Sequence, residues 1–361
     1  MTMSHVARRV GQAVLVLWAA FTLAFALLSA LPGDAVQARY EDPALGLSPQ
    51  QIAEMREAFG SDQPIPLRYA RSLGGFLTGD LGYSVSSGTA VSELIAQALP
   101  ATLALATTAF LLGVALAGAV ALAASFGPFG WLRALLRAAP PLLVSLPSFW
   151  LGILLIQVFS FRLGWVPVLN ASAAQGLILP ALTLAVPVAA PLAQVLLRSI
   201  DDVLAQPFVH TARARGAGTG WLMWRTVLRN AMLPTVTMAG VLFGELVGGS
   251  VVTEHVFARN GIGALTLSAV AERDTAVLMA VVVIAAAAFV LINLVVDLFY
   301  PVLDPRLRAP GGLNPPSAPR GRRGAAHGGE PAGPAGDKQH GPRDNPSRPG
   351  IGKNEDKETP A

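Results

Sequence analysis

The pattern of apolar and polar positions divides the chain into long apolar runs separated by polar segments. A helix needs ~20 residues to cross ~30 Å of hydrocarbon, and each run is long enough to do so. The runs are 10–31, 99–126, 138–161, 177–197, 231–253 and 275–300. We therefore predict an all-α integral membrane protein with six transmembrane helices. A cleaved signal peptide is the alternative for the first run, because Arg8 and Arg9 precede it, but its apolar stretch is long and no clear cleavage site follows.

Prolines interrupt two of these runs. The third contains Pro140, Pro141 and Pro147, and the fourth contains prolines at 180, 187 and 191. Prolines persist in membrane helices where neighbouring helices or waters satisfy the freed carbonyl groups. We therefore expect the third run to be buried in protein.

The longest polar segment before the tail, residues 33–98, mixes acids with arginines and predicts an extracytoplasmic domain between helices 1 and 2. Within it, Ser48–Phe59 is typical of a surface helix, with Ser48 as N-cap and Gln51 completing a capping box. Gly74–Gly82 has the composition of a turn-rich stretch. Glu254–Asp274, between the fifth and sixth runs, indicates a second outer segment, a hairpin loop.

The arginines indicate orientation, because cytoplasmic loops are enriched in Lys and Arg. With six spans, one side of the membrane receives the arginines at 8, 9, 133, 137, 198, 213, 215, 225, 229, 306 and 308. An even number of spans then places both termini in the cytoplasm.

One basic loop, residues 198–229, lies between the fourth and fifth runs. Within it, Pro207–Arg215 predicts a short helix with proline at its first position and Phe208, Thr211, Ala212 and Arg215 on one face. Arg213 and Arg215 suit the negative end of the helix, and Gly216 stands where a helix ends through a left-handed residue. From the residues alone, a helix lying on anionic lipid and a helix binding a protein partner are equally good interpretations.

The chain changes character near Pro310. Proline, glycine and charged residues dominate the rest of the chain, where Ile351 is the only aliphatic residue larger than alanine after Leu313. We expect a disordered tail. The predicted organisation is residues 1–32 for the N-terminus and first helix, 33–98 outside, 99–308 for the membrane core, and 309–361 for a cytoplasmic tail.

Composition excludes several classes of function. Hydrophobic residues make up 53% of the chain and charged residues only 13%, too few for a soluble domain. The chain has no cysteine, no phosphate-binding GxxxxGK[ST], and no histidines at metal-ligand spacing. We predict no catalytic residues, no metal site and no cofactor. The net charge of +4 comes from loop arginines and does not indicate nucleic-acid binding.

Glu245 is the most unusual polar residue of the apolar runs, near the middle of the fifth. A carboxylate at that depth costs about 2.5–3.5 kcal/mol, so it should face a pathway or a partner helix instead of lipid. Its two possible roles are a structural hydrogen bond to a partner and attraction of a cationic substrate. Gly244, Gly248 and Gly249 beside it form a small-residue surface, which suits packing within the chain or against a partner.

Several segments resemble the dipeptide/oligopeptide-type permeases of ABC importers, in the same order along the chain. In the basic loop, His210, Thr211, Ala212 and Gly216, followed by Leu233 and Pro234, resemble the family's EAA signature, with His210 at the position of the usual glutamate. The matching segments elsewhere are LPATLALA (99–106), LPSFWLGILL (146–155), RLGWVP (162–167), LPALTLA (179–185), GGSVVTEHVFARNGIGAL (248–265) and LDPRLR (303–308). The resemblance covers about residues 6–308.

This resemblance implies a permease subunit in the bacterial inner membrane that imports di- or oligopeptides. It implies a second homologous permease, two ATPase subunits that hydrolyse ATP, and an extracytoplasmic substrate-binding protein. The short helix of the basic loop would be the ATPase-coupling helix. Phe208, His210, Thr211, Ala212, Arg213, Arg215 and Gly216 would contact the ATPase.

Three alternatives remain open from the sequence. Relatives with similar motifs carry nickel, so a nickel or other small-solute importer is one. An ion-coupled secondary transporter is another, with Glu245 and Asp297 as the evident candidate charges. A scaffold without transport activity is the third.

Overall fold

The first apolar run forms one helix. In the computed structural model, which describes residues 3–30, 40, 48–58, 63–167 and 171–303, helix α1 spans Met3–Ala30. These residues belong to the first of two units, Met1–Pro310, and the second unit is Gly311–Ala361. The predicted tail 309–361 lies outside the described residues, as do parts of the predicted domain 33–98 and the side chain of Asp297.

One face of α1 packs against the chain and the other faces outward. Phe21 and Ala24 are buried against Met279, and Tyr69 and Phe76 pack beside them. Apolar residues away from this face are exposed, as expected for a helix that contacts lipid; they include Leu15, Leu23 and Leu27.

The predicted surface helix is confirmed. Helix α2 spans Pro49–Ala58, and its capping box is formed in both directions. The Ser48 amide donates to the Gln51 side-chain oxygen at 2.8 Å, and the Gln51 amide donates to the Ser48 hydroxyl at 3.3 Å. The two side chains thereby satisfy amides that have no partner inside the helix.

The turn predicted at Gly74–Gly82 is only partly correct, because helix α3, Ile65–Thr78, continues through its first two glycines. The turn starts at Gly79, whose φ is +85°. Asp80 then folds back and donates its amide to the Gly75 carbonyl at 2.8 Å. A Cβ atom at Gly75 would lie 2.7 Å from the Asp80 carbonyl oxygen, so the close approach requires glycine there.

Two long helices form the centre of the bundle: α4, Val91–Phe126, and α7, Gln175–Leu204. Helix α4 starts eight residues earlier than the predicted second span, at Val91 instead of residue 99. Gly113 of α4 brings the two helices together, because a Cβ atom there would lie 2.8 Å from the Val188 side chain. Helix α7 stays continuous through its three prolines, and 61% of the residues in its apolar stretch are buried.

The third run is not the single buried span that the sequence predicted. It forms α5, Gly130–Val144, and α6, Ser148–Leu155, which continues as a π-helix over Ile156–Arg162. The two arms are bent by 110° at a break before Pro147, which cannot continue the backbone ladder. Only Pro140 of α5 and Gly152 of α6 are buried, whereas Leu142 and Phe149 are exposed. Arg133 and Arg137, expected in a loop, lie within α5.

The remaining chain is helical. The basic loop contains α8, Pro207–Ala214, and α9, Thr219–Leu222, which continues as a π-helix over Met223–Val227. The fifth and sixth runs form α10, Leu228–Gly249, and α13, Thr275–Leu303. The predicted hairpin loop 254–274 is instead largely two short helices, α11, Val251–Val256, and α12, Ile262–Ala271.

The described residues form an all-α protein without a β-strand. Tyr83 and Ala90 make an isolated antiparallel bridge. Five helices are long and apolar enough to cross a membrane, and the number becomes six if the bent pair counts as one span. The helical fold class is therefore confirmed for this part of the chain.

Candidate functional site

The short helix of the basic loop has the predicted start and end. Pro207 opens α8, and the Thr211 hydroxyl bonds back to the Pro207 carbonyl at 3.2 Å. The Ala217 amide donates to the Ala212 carbonyl at 3.1 Å, and the Gly216 amide donates to the Arg213 carbonyl at 2.9 Å. With Gly216 at a φ of +86°, this is a Schellman motif, which confirms the left-handed helix end.

Val209 fixes α8 to the membrane core. Its side chain is fully buried, in one cluster with Ala124 of α4, Ile200 of α7 and Leu222 of α9. The sequence analysis did not single out Val209, although a lone valine between exposed neighbours in a basic helix is a signal for an anchoring contact. Val209 therefore joins α8 to the C-terminal ends of α4 and α7.

The opposite face of α8 borders an open cleft. This cleft has a volume of about 680 Å³. It is lined by Phe208, Thr211, Ala212, Arg215, Gly216, Ala217, Gly218 and Trp221. Phe208 is 47% exposed, a large aromatic surface without cover in the described part of the chain.

The structure brings together five of the seven predicted contact residues. Phe208, Thr211, Ala212, Arg215 and Gly216 line the cleft. His210 and Arg213 are exposed but are not part of its lining. Trp221 of α9 also lines the cleft.

Glu245 lies on an open face of α10. Its side chain is exposed and makes no hydrogen bond or ion pair with a described residue. A Cβ atom added at Gly248 or Gly249, one turn later, would have no heavy atom within 4 Å, so the space beside the carboxylate is open. Gly244 differs, because a Cβ there would lie 2.6 Å from the Phe289 ring, so this glycine packs within the chain.

A second carboxylate, Glu254, is buried and fully partnered. It accepts the Thr102 hydroxyl at 2.6 Å, the Gly263 amide at 2.8 Å and, more weakly, the Ser250 hydroxyl at 3.3 Å. A Cβ atom at Gly261 would lie 2.3 Å from a Glu254 carboxylate oxygen. The sequence predicted an outer hairpin loop at this position, although an acid followed by a Gly-x-Gly helix start was a usable signal for a buried carboxylate.

Asp274 plays a related part at the start of α13. Its carboxylate is 1% exposed and accepts the Ser84 hydroxyl at 2.5 Å, the Ser86 hydroxyl at 3.3 Å and the Val277 amide at 3.3 Å. These bonds attach the segment before α4 to the first turn of the last span.

Comparison with known proteins places these features in a family. Residues 109–309 match the model of the binding-protein-dependent transport system inner membrane component, and residues 2–106 match the N-terminal model of such membrane components. The chain is 39% identical over 286 residues to the glutathione transport system permease protein GsiC of Salmonella paratyphi A, covering 79% of this chain and 92% of the relative. It is 37% identical over 306 residues to GsiC of Escherichia coli O6:H1, covering 85% and 99%.

A solved structure also resembles the chain, the MetNI methionine ABC transporter in inward-facing conformations, at 18% identity. The match covers 58% of this chain and 96% of that chain with a TM-score of 0.49. The family models and the relatives confirm the resemblance seen in the sequence. The chain belongs to the binding-protein-dependent transport system inner membrane components, the permease subunits of peptide-type ABC importers.

Proposed function

We propose that this chain pairs with a second, homologous permease and imports small peptides of the glutathione type, driven by two ATPase subunits that bind at α8. Family membership already makes it a multi-pass inner-membrane permease subunit that works with an ATPase and a substrate-binding protein and is not itself an enzyme. The proposal adds the docking residues, the topology, the pairing and the substrate.

The proposal rests on the different surroundings of two faces of α8. Val209 holds one side in the core, while Phe208 and Arg215 on the other side border the open cleft. An exposed aromatic residue next to a cation is typical of a protein contact. We propose that an ATPase element fills this cleft, with Thr211, Ala212 and Gly216 allowing close approach and with His210 and Arg213 at its edge.

The topology follows from counting the bent pair as one span. Six spans then place the basic loop on the same side as Arg8 and Arg9, and both termini are cytoplasmic. Residues 33–98 become an extracytoplasmic segment, and residues 309–361 a cytoplasmic tail.

The second permease would cover the open face of α10. Gly248 and Gly249 present a surface that another helix can approach closely, and Glu245 lies beside them. Glu245 then either accepts a hydrogen bond from the paired chain or lines the pathway between the two permeases. Both roles keep the carboxylate away from lipid.

The substrate is proposed from the relatives, whose names state glutathione transport. Glutathione is a small peptide, in agreement with the di- or oligopeptide substrate expected from the sequence. A nickel complex or another small solute is the alternative within the same family. An ion-coupled carrier that works alone does not fit a family of binding-protein-dependent permeases.

Uptake into proteoliposomes tests the proposal. Proteoliposomes that carry the assembled transporter, with its binding protein and ATPases, should accumulate labelled glutathione or dipeptides only when ATP is present on the membrane side where the ATPases bind. Uptake of a nickel complex without peptide uptake would select the alternative substrate. No ATP-dependent uptake of either would contradict the proposed activity.

Co-purification tests the docking site separately. Phe208→Ala should reduce recovery of the ATPase with the solubilised chain, because it removes the exposed aromatic group from the cleft. Trp224→Ala is the matched control, since Trp224 is 64% exposed in the same loop but does not line the cleft. Equal recovery with both variants would show that the ATPase binds elsewhere.

A further inference from the structure

Arg137 connects three helices at the inner end of the bundle. Its guanidinium makes a bidentate ion pair from α5 to Asp201 of α7, with Nη1–Oδ2 at 2.7 Å and Nη2–Oδ1 at 2.9 Å. Its Nε also donates to the Ala124 carbonyl of α4 at 3.3 Å. Bidentate pairs of this kind fix orientation as well as distance.

This connection borders the cluster in which α8 is anchored. Asp201 follows Ile200, and both Ile200 and Ala124 belong to the buried cluster that contains Val209. The same short stretch of α7 therefore packs against α8 on one side and holds Arg137 on the other.

Helix α5 packs along α4 and α7, and Leu136 lies against the buried cluster that contains Val209, but much of the surface of α5 is open. Pro140 is its only buried residue, while Trp131, Leu135 and Leu142 are exposed. Each of the two side chains in the ion pair is 45% exposed, so the pair contributes little to the folding free energy. Its consequence is geometric, because it fixes the position of α5 relative to α4 and α7.

We propose that Arg137 and Asp201 form a clamp that transmits the ATP-driven movement of α8 to α5 and the rest of the bent pair. They are positioning residues and contact neither substrate nor nucleotide. This inference rests on the proposed docking of the ATPase at α8.

The bidentate geometry predicts which substitutions matter. Lysine at position 137 keeps the charge but offers a single point contact and cannot reach two carboxylate oxygens and the Ala124 carbonyl together. Arg137→Lys and Asp201→Asn should therefore both uncouple transport. Because the two residues act as a unit, the double variant with Arg137→Lys and Asp201→Asn should uncouple transport no more than either single variant.

The test measures two rates in the reconstituted transporter, ATP hydrolysis and substrate uptake. For Asp201→Asn, uptake per ATP hydrolysed should fall at least about fivefold, the lower end of ordinary coupling between sites. ATP hydrolysis and co-purification with the ATPase should stay near the wild-type level. Asp202→Asn and Arg133→Lys are the matched controls, because both residues are exposed neighbours that form no ion pair with a described residue.

Two results would overturn the clamp. An unchanged ratio of uptake to hydrolysis would show that the ion pair transmits nothing. Loss of subunit assembly in the variants, with the controls intact, would show that the pair serves assembly instead.

A distance measurement separates failure of the clamp from failure of the proposed function. The chain has no cysteine, so Leu135→Cys on α5 and Leu23→Cys on α1, which lies outside the cluster that anchors α8, allow spin labels without background. The label distance should change when ATP binds, and this change should be lost with Asp201→Asn. No change in the wild-type background would contradict the docking proposal, and a change that persists in the variant would contradict the clamp.

Discussion

Thr102 donates a 2.6 Å hydrogen bond to Glu254, although 152 residues separate them in the chain. The same hydroxyl oxygen accepts the Ile262 amide at 2.8 Å, so one threonine of α4 joins α11 to the start of α12. All of these groups are buried, and their polar atoms have no access to water as a replacement partner. The segment between the fifth and sixth runs is thereby attached firmly to the second span.

Thr102→Val should destabilise the chain, because it keeps the shape and removes a hydroxyl that serves two buried groups. We expect a loss of about 1–3 kcal/mol of folding free energy, seen as a lower midpoint of thermal unfolding in detergent. Thr102→Ser should retain most of the stability. Thr108→Val is the matched control on the same helix, since the exposed Thr108 hydroxyl bonds only to the nearby Ala104 carbonyl. Equal midpoints for the two valine variants would contradict the role of Thr102.

Gly216→Leu should abolish uptake while leaving membrane insertion intact. At a φ of +86°, a side chain costs about 1–2 kcal/mol, and leucine would also extend into the cleft beside α8. ATPase recovery should fall with uptake. Gly216→Asn should retain more activity, because asparagine tolerates the left-handed conformation.

Gly220→Leu serves as the control for Gly216. Gly220 lies in the same loop with open space around it and with no positive φ, and it does not line the cleft. Wild-type uptake by Gly216→Leu, or equal losses of uptake in both leucine variants, would contradict the proposed function of the helix end.

Glu245→Gln separates the two roles of the exposed carboxylate, because it keeps the shape and the hydrogen-bonding capacity but removes the charge. If Glu245 only bonds to the paired permease, uptake should remain near normal for all peptides. If it lines the pathway, uptake should fall most for cationic peptides. Transport rates of cationic and anionic peptides, measured side by side, decide between the two roles.

Deletion of Leu313–Ala361 should change transport little. The deleted segment contains almost no large apolar residues with which to pack against the bundle. Uptake and subunit recovery of the truncated chain, compared with full length, measure the effect. Complete loss of assembly would assign this tail a role that its composition does not indicate.

The membrane class, the approximate spans and the local helix ends can be read from the amino-acid sequence. The capping box of Ser48 and Gln51 and the left-handed Gly216 were predictable because their physical causes lie within a few residues of chain. The family was readable from short motifs in the right order. Helical periodicity likewise predicted that Phe208, Thr211, Ala212 and Arg215 share one face, and all four line the cleft.

Features that depend on contacts between distant segments are visible only in the folded chain. Glu254 and Asp274 look like solvated loop acids in the sequence, but hydroxyl groups from other elements bury and satisfy them. The prolines of α7 leave that helix continuous through the core, whereas the break before Pro147 bends the third run by 110°. Val209 as the anchor of α8, and Arg137 on Asp201, likewise follow from packing between helices, which periodicity along one helix cannot specify.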